Sequence, residues 1–579
     1  MRKSIRWFVG AASLTMIAAT LGSTSVASAS GPMQRYIVRV RAGANYASVR
    51  SAVAHQGASV VMDLKQVGAF VVKARSGLSP ALAATAGVQG LALDHIETVA
   101  PPEGARTSDG KPAIQSIRRL LPGAAGGGTF VPDPIVRRYR SLVWDYGRIQ
   151  APRQWDNSTG SGITVAVADT GLDYTHTELA SQVSLVVDIA KADGLCTLLF
   201  GQSDQDLADL YGGPEDTDWY GHGSWIGGSI AAALNGQGVN GIAPGVSLVS
   251  LKIAQWCGYA YDSSIISAFL YAADHAIPIV SISFGGYLDR SDPGQDLIWH
   301  VYADTVAYAK NYGTAIVAAA GNEHAEIGTD GLVLTHGILT APGGTLSDFF
   351  GWYEVPGGLP GVVDVSSTGN VVNASSASCA DGTWDSTTAT CKFLSDAHQA
   401  AGTGQRDQLA YYSNYGTRID FAAPGGARKF NLPVWDRGGT PGFPVTSDDG
   451  VQAWEDFNIT SDWATQITCY VFPQMPNDCF STIQGTSMAT PHVSAVLALV
   501  LAVHPEFIGD VDGLVSFVKS YAKSGHNTTQ PLSATDTSPG DLSDFYPDDC
   551  TTGYCHLGGA AIPDSEAYGA GLLRVPPLG

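Results

Sequence analysis

From residue 144 onward, short and almost wholly apolar runs alternate with segments that can form helices. Glycines or polar turn residues bound these runs, which lie at residues 163–168, 246–251, 279–283 and 314–320. Strands that are apolar on both faces and separated by helices are typical of a parallel sheet covered on both sides. We therefore predict an α/β domain over residues 144–579, built on a mostly parallel sheet with helices on both faces.

A smaller unit precedes this domain. Residues 35–41 alternate apolar and polar side chains, as a strand does, and residues 69–73 form a second such run. Residues 46–54 and 80–84 are compatible with helices, so residues 30–100 are predicted to form a small α+β domain. Residues 101–143 are rich in proline, glycine and basic residues and include Arg137-Arg138. This composition indicates a protease-accessible linker.

Residues 1–29 have the pattern of a secretory signal peptide. Arg2, Lys3 and Arg6 form a basic start, a mostly apolar stretch follows at residues 8–21, and residues 27–29 match a small-residue cleavage site. A membrane anchor is the alternative, but the apolar stretch is shorter than the ~20 residues that span a bilayer. We expect a secreted, extracellular protein with no membrane contact after removal of the signal.

The distribution of charge also divides the chain, close to the predicted start of the large domain. The first 140 residues hold 17 of the 32 Lys and Arg but 6 of the 53 Asp and Glu, a net charge of +11. The remainder has 15 basic and 47 acidic residues, a net charge of −32. Nucleic acid is therefore not expected as a ligand of the large domain, because phosphate binding needs clustered Lys and Arg. The opposite charges also suit a basic segment that pairs with its own acidic domain.

All eight cysteines follow residue 190, and an even number in an exported chain favours disulfides. We predict three local pairs and one between the two cysteines that remain. Zinc is the alternative, although no pair of C-x2-C units is present. The predicted pairs are Cys379 with Cys391, Cys469 with Cys479, Cys550 with Cys555, and Cys196 with Cys257.

Three short motifs contain residues suited to catalysis. Asp169 ends an apolar run in an Asp-Thr-Gly triplet, His222 lies between two glycines, and Ser487 opens a long apolar helix. Each has a structural alternative: a turn or helix cap for the aspartate, a turn residue for the histidine, and a helix N-cap for the serine. At a helix start, however, free backbone N–H groups can stabilise a developing oxyanion beside the serine.

In this order, and with Asn322 in Ala-Ala-Ala-Gly-Asn between the second and third motifs, the sequence resembles the subtilisin family of serine proteases from about residue 144 to 573. The resemblance implies that Ser487 is the nucleophile, His222 the general base and acid, and Asp169 the residue that orients His222. Asn322 would donate to the oxyanion. Ser283, Phe284 and Gly285 would form the substrate-lining strand, which binds an extended polypeptide through its main chain.

The resemblance carries further expectations. Residues 30–100 resemble, more loosely, the inhibitory propeptide of the family, which would be a partner until cleavage in the linker. No cofactor is required for the chemistry, and a structural calcium ion is left open, with Glu178 the nearest candidate ligand although no EF-hand loop is present. We expect a monomer. The alternatives are an inactive binding protein on the same fold and an acid-habitat serine-carboxyl protease.

The sequence departs from compact members of the family at several places. Ser224 and Trp225 replace a threonine and a second histidine after His222, and long insertions occupy residues 328–404 and 427–480. Loops near a site tune access to it, so substrate preference should differ from that of compact members. An acidic group just before His222 could favour basic substrates, although a solvated loop is the simpler interpretation. Its members are Glu215, Asp216 and Asp218.

Overall fold

A computed structural model describes residues 31–98, 143–335, 338–341, 345–370, 383–385, 390–392, 407–427, 459–465, 470–472, 475–533, 556–557 and 560–579. The predicted signal segment and most of the predicted linker, with Arg137-Arg138, lie outside the described residues. So does at least one member of each close cysteine pair.

The helices are α1 (Tyr46–His55), α2 (Ser79–Ala83), α3 (Trp144–Ile149), α4 (Leu195–Phe200), α5 (Asp204–Tyr211), α6 (His222–Ala231), α7 (Asp262–Asp274), α8 (Pro293–Asn311), α9 (Thr486–Val503), α10 (Val511–Lys519) and α11 (Asp564–Tyr568). The strands are β1 (Met33–Val40), β2 (Ser59–Leu64), β3 (Ala69–Arg75), β4 (Val88–Leu93), β5 (Ile96–Thr98), β6 (Thr164–Asp169), β7 (Val183–Asp188), β8 (Ser247–Lys252), β9 (Tyr259–Tyr261), β10 (Ile279–Ile282), β11 (Gly286–Leu288), β12 (Ala315–Ala319), β13 (Ile338–Ala341), β14 (Thr345–Asp348), β15 (Tyr353–Val355), β16 (Val363–Gly369), β17 (Thr383–Asp385), β18 (Thr390–Lys392), β19 (Gln408–Leu409), β20 (Phe421–Pro424), β21 (Ile459–Trp463), β22 (Tyr470–Phe472), β23 (Met475–Ile483), β24 (Leu532–Ser533) and β25 (His556–Leu557).

The central sheet has the strand order β19-β16-β12-β10-β6-β8-β7, and β20 also pairs with β16. Its strands pair in parallel, apart from the antiparallel strand β19 at the edge. Strand β6 lies between β8 and β10, so the strand order changes direction at β6. In open α/β sheets, ligands bind at the carboxyl ends of the strands beside such a switch point. The predicted fold class is confirmed.

Helices cover both faces of this sheet, and alternate side chains of β6 enter two different cores. Val165 and Val167 pack into the core that contains α9, whereas Ala166 and Ala168 pack into the core that contains α7 and α8. This alternation follows from the two-residue period of a strand. The apolar runs of the sequence therefore reflect strands that are buried on both sides.

Helix α9 is the central helix of one face. Within the described residues it is long and apolar enough to cross a membrane by length and composition, but 89% of it is buried inside the protein. A core helix surrounded by other apolar elements has this composition. Its hydropathy is therefore explained by packing.

The N-terminal unit has a four-stranded antiparallel sheet in the order β2-β3-β1-β4. One face, which includes Tyr36 and Val38, packs with α1 and α2 in a core of its own. The opposite face, which includes Ile37 and Val71, joins the core formed by α7 and α8. The N-terminal unit is thus docked on the helices that cover one face of the central sheet.

The disulfide predicted between Cys196 and Cys257 is confirmed. It has a Cα–Cα distance of 5.7 Å and links α4 to the turn before β9 across 61 residues. Cys479 is also disulfide-bonded. The predicted partner of Cys479, which is Cys469, lies outside the described residues.

Buried Asp193, beside the N-terminal unit, is predicted to make stability depend on pH. Its Oδ1 accepts a bond from the backbone N–H of Leu195 (2.8 Å), and its main-chain oxygen accepts one from Lys73 Nζ (2.8 Å). Burial raises the pKa of Asp193 to about 7. The folded protein therefore holds this proton up to about pH 7, whereas the unfolded chain releases it near pH ~4. The free energy of unfolding should fall as pH rises through this window.

Asp193→Asn keeps the acceptor for Leu195 and removes the titration. Thermal unfolding from pH 4 to 7 should show a shallower loss of stability in the variant, by roughly 2–4 kcal/mol across the window. The control is Asp209→Asn on the exposed face of α5. If stability falls equally steeply with pH in the parent chain and in Asp193→Asn, the proton on Asp193 does not contribute to the pH dependence.

Candidate active site

Asp169, Ser283 and Asn322 end or follow neighbouring strands at one edge of the central sheet, and His222 begins α6. Asp169 is the last residue of β6, Ser283 follows β10, and Asn322 follows β12. These strands are parallel neighbours, so their carboxyl ends meet at the same edge. Ser487 reaches this edge from the start of α9.

The Asp169 carboxylate binds the ring of His222. His222 Nδ1 lies 2.8 Å from Asp169 Oδ1 and 3.0 Å from Oδ2, and both side chains are fully buried. Asp169 Oδ1 also accepts a bond from the backbone N–H of Thr170 (2.7 Å). A carboxylate at Nδ1 favours a proton on that nitrogen and leaves the lone pair on Nε2. Within the described residues, Nε2 has no hydrogen-bond partner.

The glycines around His222 each have a structural reason. Gly221 precedes α6 with φ = 103°, a conformation that L side chains rarely adopt. At Gly223 an added Cβ would lie 2.0 Å from the carbonyl oxygen of Gly171. Because α6 approaches the turn after β6 this closely, His222 is held at the end of that strand. The helix begins at His222 itself.

Asp218 organises the loop before His222. Its Oδ1 accepts bonds from the backbone N–H groups of Tyr220 (2.9 Å) and Gly221 (2.7 Å), and its Oδ2 accepts two from Ser224, one from N and one from Oγ, both at 2.8 Å. Burial raises the pKa of this carboxyl above its usual value. Asp218 is fully buried, so the interpretation of it as part of a solvated or substrate-facing acidic loop is wrong.

Glu215 and Asp216, the other members of that acidic group, also have partners. Glu215 forms an ion pair with Lys191, and Asp216 accepts a bond from the Tyr174 hydroxyl (2.6 Å). The three acidic side chains are therefore engaged within the protein. Their contacts lend no support to a basic-substrate preference at this loop.

Thr170 and Lys252 are site-supporting residues that the motif analysis missed. The Thr170 hydroxyl lies 2.9 Å from Asp218 Oδ1 and accepts a bond from the backbone N–H of Gly223 (2.9 Å). Lys252 is fully buried at the end of β8, and its Nζ donates to the carbonyl oxygen of Thr170 (2.6 Å). Thr170 could have been suspected from its place in Asp-Thr-Gly, but no sequence signal marks Lys252.

Ser487 is the second residue of α9 and is only 5% exposed. Its Oγ makes a long 3.5 Å contact with the carbonyl oxygen of Ser283. In the other direction, the Ser283 hydroxyl donates to the carbonyl oxygen of Ser487 (3.0 Å). Pro491, four residues after Ser487, has no N–H to bond that carbonyl in the helix. The proline therefore leaves the carbonyl free for Ser283.

Asn322 and the start of α9 form a small polar space. Asn322 Oδ1 accepts bonds from both N (2.9 Å) and Oγ1 (2.8 Å) of Thr486, which turns its Nδ2 the other way. An added Cβ at Gly485 would lie 3.7 Å from both Asn322 Nδ2 and Ser487 N. These two N–H donors therefore border the same space, which the absence of a side chain at Gly485 keeps open.

Ser283, Phe284 and Gly285 connect β10 to β11 and were predicted to line the substrate. The Phe284 ring lies edge-on to the His222 ring, with 6.4 Å between the centroids. At Gly285 an added Cβ would lie 2.7 Å from the carbonyl oxygen of Val355, so a larger residue would push this segment away from β15. The segment thus contacts both the histidine and the serine of the site.

The N-terminal unit reaches the same region. Strand β5 pairs antiparallel with β9, with Glu97 opposite Ala260. The Glu97 carboxylate lies against Gly286, where an added Cβ would be 1.8 Å from Glu97 Oε2. An extended segment of the N-terminal unit is therefore bound as an additional strand beside the site, as a peptide is in β-augmentation.

The departures noted after His222 have structural roles. Besides its bonds to Asp218, Ser224 Oγ accepts a bond from the backbone N–H of Asp173 (2.9 Å). Trp225 is fully buried, and its Nε1 donates to the carbonyl oxygen of Ser481 (3.1 Å). Trp463 of the insertion at residues 427–480 packs against Gly221. The insertion therefore packs against the residue that immediately precedes His222.

The chain was compared with families, sequences and solved structures. A model described as "Subtilase family" matches residues 160–527. Thermitase from Thermoactinomyces vulgaris is 24% identical over 353 residues, which are 61% of this chain and 79% of thermitase. Fervidolysin from Fervidobacterium pennivorans is 23% identical over 370 residues, 63% of this chain and 38% of fervidolysin. Alkaline elastase YaB from Bacillus sp. (strain YaB) is 24% identical over 399 residues, 69% of each chain.

Two solved structures share the fold. The epidermin leader peptide processing serine protease from Staphylococcus aureus aligns with a TM-score of 0.57 at 17% identity, covering 95% of this chain and 98% of its own. Crystalline fervidolysin aligns with a TM-score of 0.51 at 19% identity, covering 86% of this chain and 59% of its own. The architecture is therefore found in other proteases despite low identity.

Asp218 offers a test of the loop that supports His222. The carboxylate of Asp218 accepts hydrogen bonds from several N–H groups. In Asp218→Asn the amide hydrogens would face some of these donors, so the free energy of unfolding should fall by about 2–4 kcal/mol. Asp216→Asn, two residues away and partly exposed, is the matched control and should cost less than about 1 kcal/mol. Urea unfolding of both variants measures the difference. Equal stabilities would contradict the role of Asp218.

Proposed function

Because the chain belongs to the subtilase family of serine-type endopeptidases, we propose that it hydrolyses peptide bonds through Ser487, His222 and Asp169 by way of an acyl-enzyme. The observation that carries this proposal is the His222 ring at the edge where α9 begins: Asp169 holds its Nδ1, and its Nε2 has no partner among the residues that the structure describes. That arrangement gives a base whose lone pair is available to a serine hydroxyl.

In the first half of the reaction, Ser487 Oγ attacks the carbonyl carbon of the scissile bond. The hydroxyl proton passes to His222 Nε2 as the oxygen–carbon bond forms, and Asp169 stabilises the resulting imidazolium. His222 then gives the proton to the leaving nitrogen as the carbon–nitrogen bond breaks. The amine product leaves, and the acyl group remains on Ser487.

In the second half, water takes the place of the amine. His222 accepts a proton from the water as its oxygen attacks the acyl carbon, and the proton returns to Ser487 Oγ when the ester bond breaks. In both halves, negative charge develops on the former carbonyl oxygen. Asn322 Nδ2 and Ser487 N, which border the space beside Gly485, are the donors proposed to stabilise it.

The polypeptide substrate is proposed to bind as an extended strand. Ser283, Phe284 and Gly285 would contact it on one side, and β9 would pair with it on the other. The pairing of β5 with β9 supports this mode, because it places an extended segment of the same chain in the position that a substrate strand would take. Main-chain pairing would hold the substrate, and side-chain pockets would select it.

The same pairing supports a zymogen. We propose that residues 30–100 are an inhibitory propeptide that occupies part of the substrate groove until the chain cuts itself within residues 101–143. The contact between the N-terminal sheet and the core of α7 and α8 would also assist folding of the acidic domain. In this form the basic N-terminal unit is a partner of its own enzyme.

Secretion and the remaining expectations stay proposals. The signal pattern of residues 1–29 supports an extracellular enzyme, which we propose to act as a monomer without a cofactor in its chemistry. Glu178 is fully buried and accepts a bond from Asn235 Nδ2 (3.0 Å). A structural calcium ion bound by Glu178 is an open proposal.

The two alternatives have less support. A serine-carboxyl protease needs a glutamate as its base, whereas the ring of His222 already has an orienting carboxylate in Asp169. An inactive binding protein would be expected to have lost one of the reacting groups, and all of their residue types are present. The protease relatives also favour activity.

Replacement of Ser487 tests the nucleophile. Ser487→Ala should abolish both self-processing and casein hydrolysis, because no hydroxyl remains to form the acyl-enzyme. Ser494→Ala, in the same helix, removes another buried hydroxyl and should retain both activities. Gel analysis of each purified chain over time gives the result. Maturation of Ser487→Ala without any added protease would refute the mechanism.

Replacement of Asn322 tests the oxyanion donor. Asn322→Ala should lower kcat by about 10²- to 10³-fold with little change in KM, a loss known for the corresponding residue of subtilisin. Thr486→Val keeps Asn322 Nδ2 and removes one of the two bonds that orient it, so it should lose clearly less activity. Peptide hydrolysis kinetics separate kcat from KM. A main effect on KM would place Asn322 in substrate binding instead.

A further inference from the structure

Three potential metal ligands meet where the N-terminal unit contacts the catalytic domain. His95 and Glu97 come from the segment around β5, and Asp262 is the first residue of α7. One ligand atom from each side chain lies within 4.8 Å of the others. Neither His222 nor Asp169 belongs to this cluster.

Asp262 has an unsatisfied oxygen in this cluster. Its Oδ1 accepts a bond from the Tyr302 hydroxyl (2.7 Å), whereas its Oδ2 is buried with no hydrogen-bond partner among the described residues. Burial, and then the nearby charge of Glu97, raise the pKa of Asp262 well above its usual range. A buried carboxylate oxygen without a donor is costly unless a cation or proton compensates it.

Glu97 is held close to the Asp262 carboxylate. The main chain of β5 is fixed by its pairing with β9, and the Glu97 side chain is 4% exposed. Its Oε1 lies 3.1 Å from His95 Nδ1. On its other side, the lack of a side chain at Gly286 makes the space that the carboxylate fills. The position of Glu97 is therefore set by backbone on both sides.

Within the cluster, burial lowers the pKa of His95, but the hydrogen bond and charge of Glu97 outweigh it and raise this pKa to about 9, so zinc would displace a proton. Outside the cluster, the neighbouring charges do not neutralise these carboxylates. Arg35, the nearby cation, pairs with Asp94 (2.7 Å) and donates to the Ser263 hydroxyl (2.7 Å). Asp94 also accepts bonds from the N and Oγ atoms of Ser263. The Arg35–Asp94 pair is thus satisfied within itself and with Ser263. His95 is left as the group that faces both Glu97 and Asp262.

We propose that His95, Glu97 and Asp262 bind a zinc ion between the N-terminal unit and the catalytic domain. One imidazole nitrogen and two carboxylate oxygens suit zinc, whereas calcium and magnesium prefer oxygen ligands alone. With zinc–ligand bonds of about 2.0–2.2 Å, tetrahedral ligands lie about 3.4 Å apart, close to the separation of His95 Nδ1 and Glu97 Oε1. The ligand atom of Asp262 lies within 4.8 Å of the other two, so it would need to move closer by up to roughly 1.5 Å. A water molecule would complete the site.

The site is accessible to an ion. The His95 side chain is 40% exposed, so zinc can enter from solvent past the imidazole while the carboxylates stay buried. Two ligands belong to the N-terminal unit and one to the catalytic domain. Bound zinc therefore connects the two parts of the chain and opposes release of β5 from β9.

Zinc binding is tested with the full chain carrying Ser487→Ala, which prevents self-cleavage whatever the role of zinc. Isothermal titration with ZnCl2 after treatment with a chelator should show one site that His95→Ala and Asp262→Asn each weaken at least tenfold. CaCl2 should give no binding that depends on these residues. ZnCl2 should also raise the Tm of the Ser487→Ala chain but not that of the two variants.

His504→Ala is the matched control, because partly exposed His504 pairs with Glu506 (2.9 Å) and has no third ligand in the described part of the chain. It should leave the titration unchanged. Circular dichroism shows whether each variant is folded. If Asp262→Asn does not fold, the comparison with His95→Ala decides the question. Equal zinc affinity in the Ser487→Ala chain and in His95→Ala would overturn the site and mean that the cluster is compensated by protons. Failure of the proposed proteolysis would leave this result unaffected.

Discussion

The two contacts between His222 Nδ1 and the Asp169 carboxylate depend on a close approach of backbones. Gly223 lies against the carbonyl of Gly171, and Thr170 bonds the backbone of Gly223, so the turn after β6 and the start of α6 behave as one rigid unit. Asp218 accepts hydrogen bonds from the loop that precedes α6, and Lys252 donates one to the carbonyl oxygen of Thr170. Any larger residue at Gly223 would separate His222 from the Asp169 carboxylate.

The start of α9 supplies the other half of the site by similar means. Pro491 cannot bond the carbonyl oxygen of Ser487, so this oxygen accepts a hydrogen bond from the Ser283 hydroxyl. The bond connects Ser487 to the segment proposed to hold the substrate. Thr486 orients Asn322, and Gly485 leaves space between the two N–H donors. The geometry that would stabilise an oxyanion is therefore built into the folded chain before any substrate arrives.

Much of this arrangement could be predicted from the sequence. The apolar runs predicted β6, β8, β10 and β12, because strands buried on both faces have few polar residues. The glycines beside His222 and the proline in α9 were signals of local geometry. In contrast, Asp218 and Lys252 are charged residues whose burial arises from contacts far along the chain. The strands β5 and β9 are also too short to show an alternation of apolar and polar residues, so their pairing could not be predicted from the sequence.

In the proposed mechanism, Ser487 is an activated serine, and its activation depends on His222. Labelling with a fluorophosphonate, which reacts with activated serines, followed by peptide mass spectrometry tests this claim most directly. The label should be found on Ser487 of the processed parent protein and be lost in His222→Ala. A label on another residue, or equal labelling of Ser487 in His222→Ala, would contradict the account.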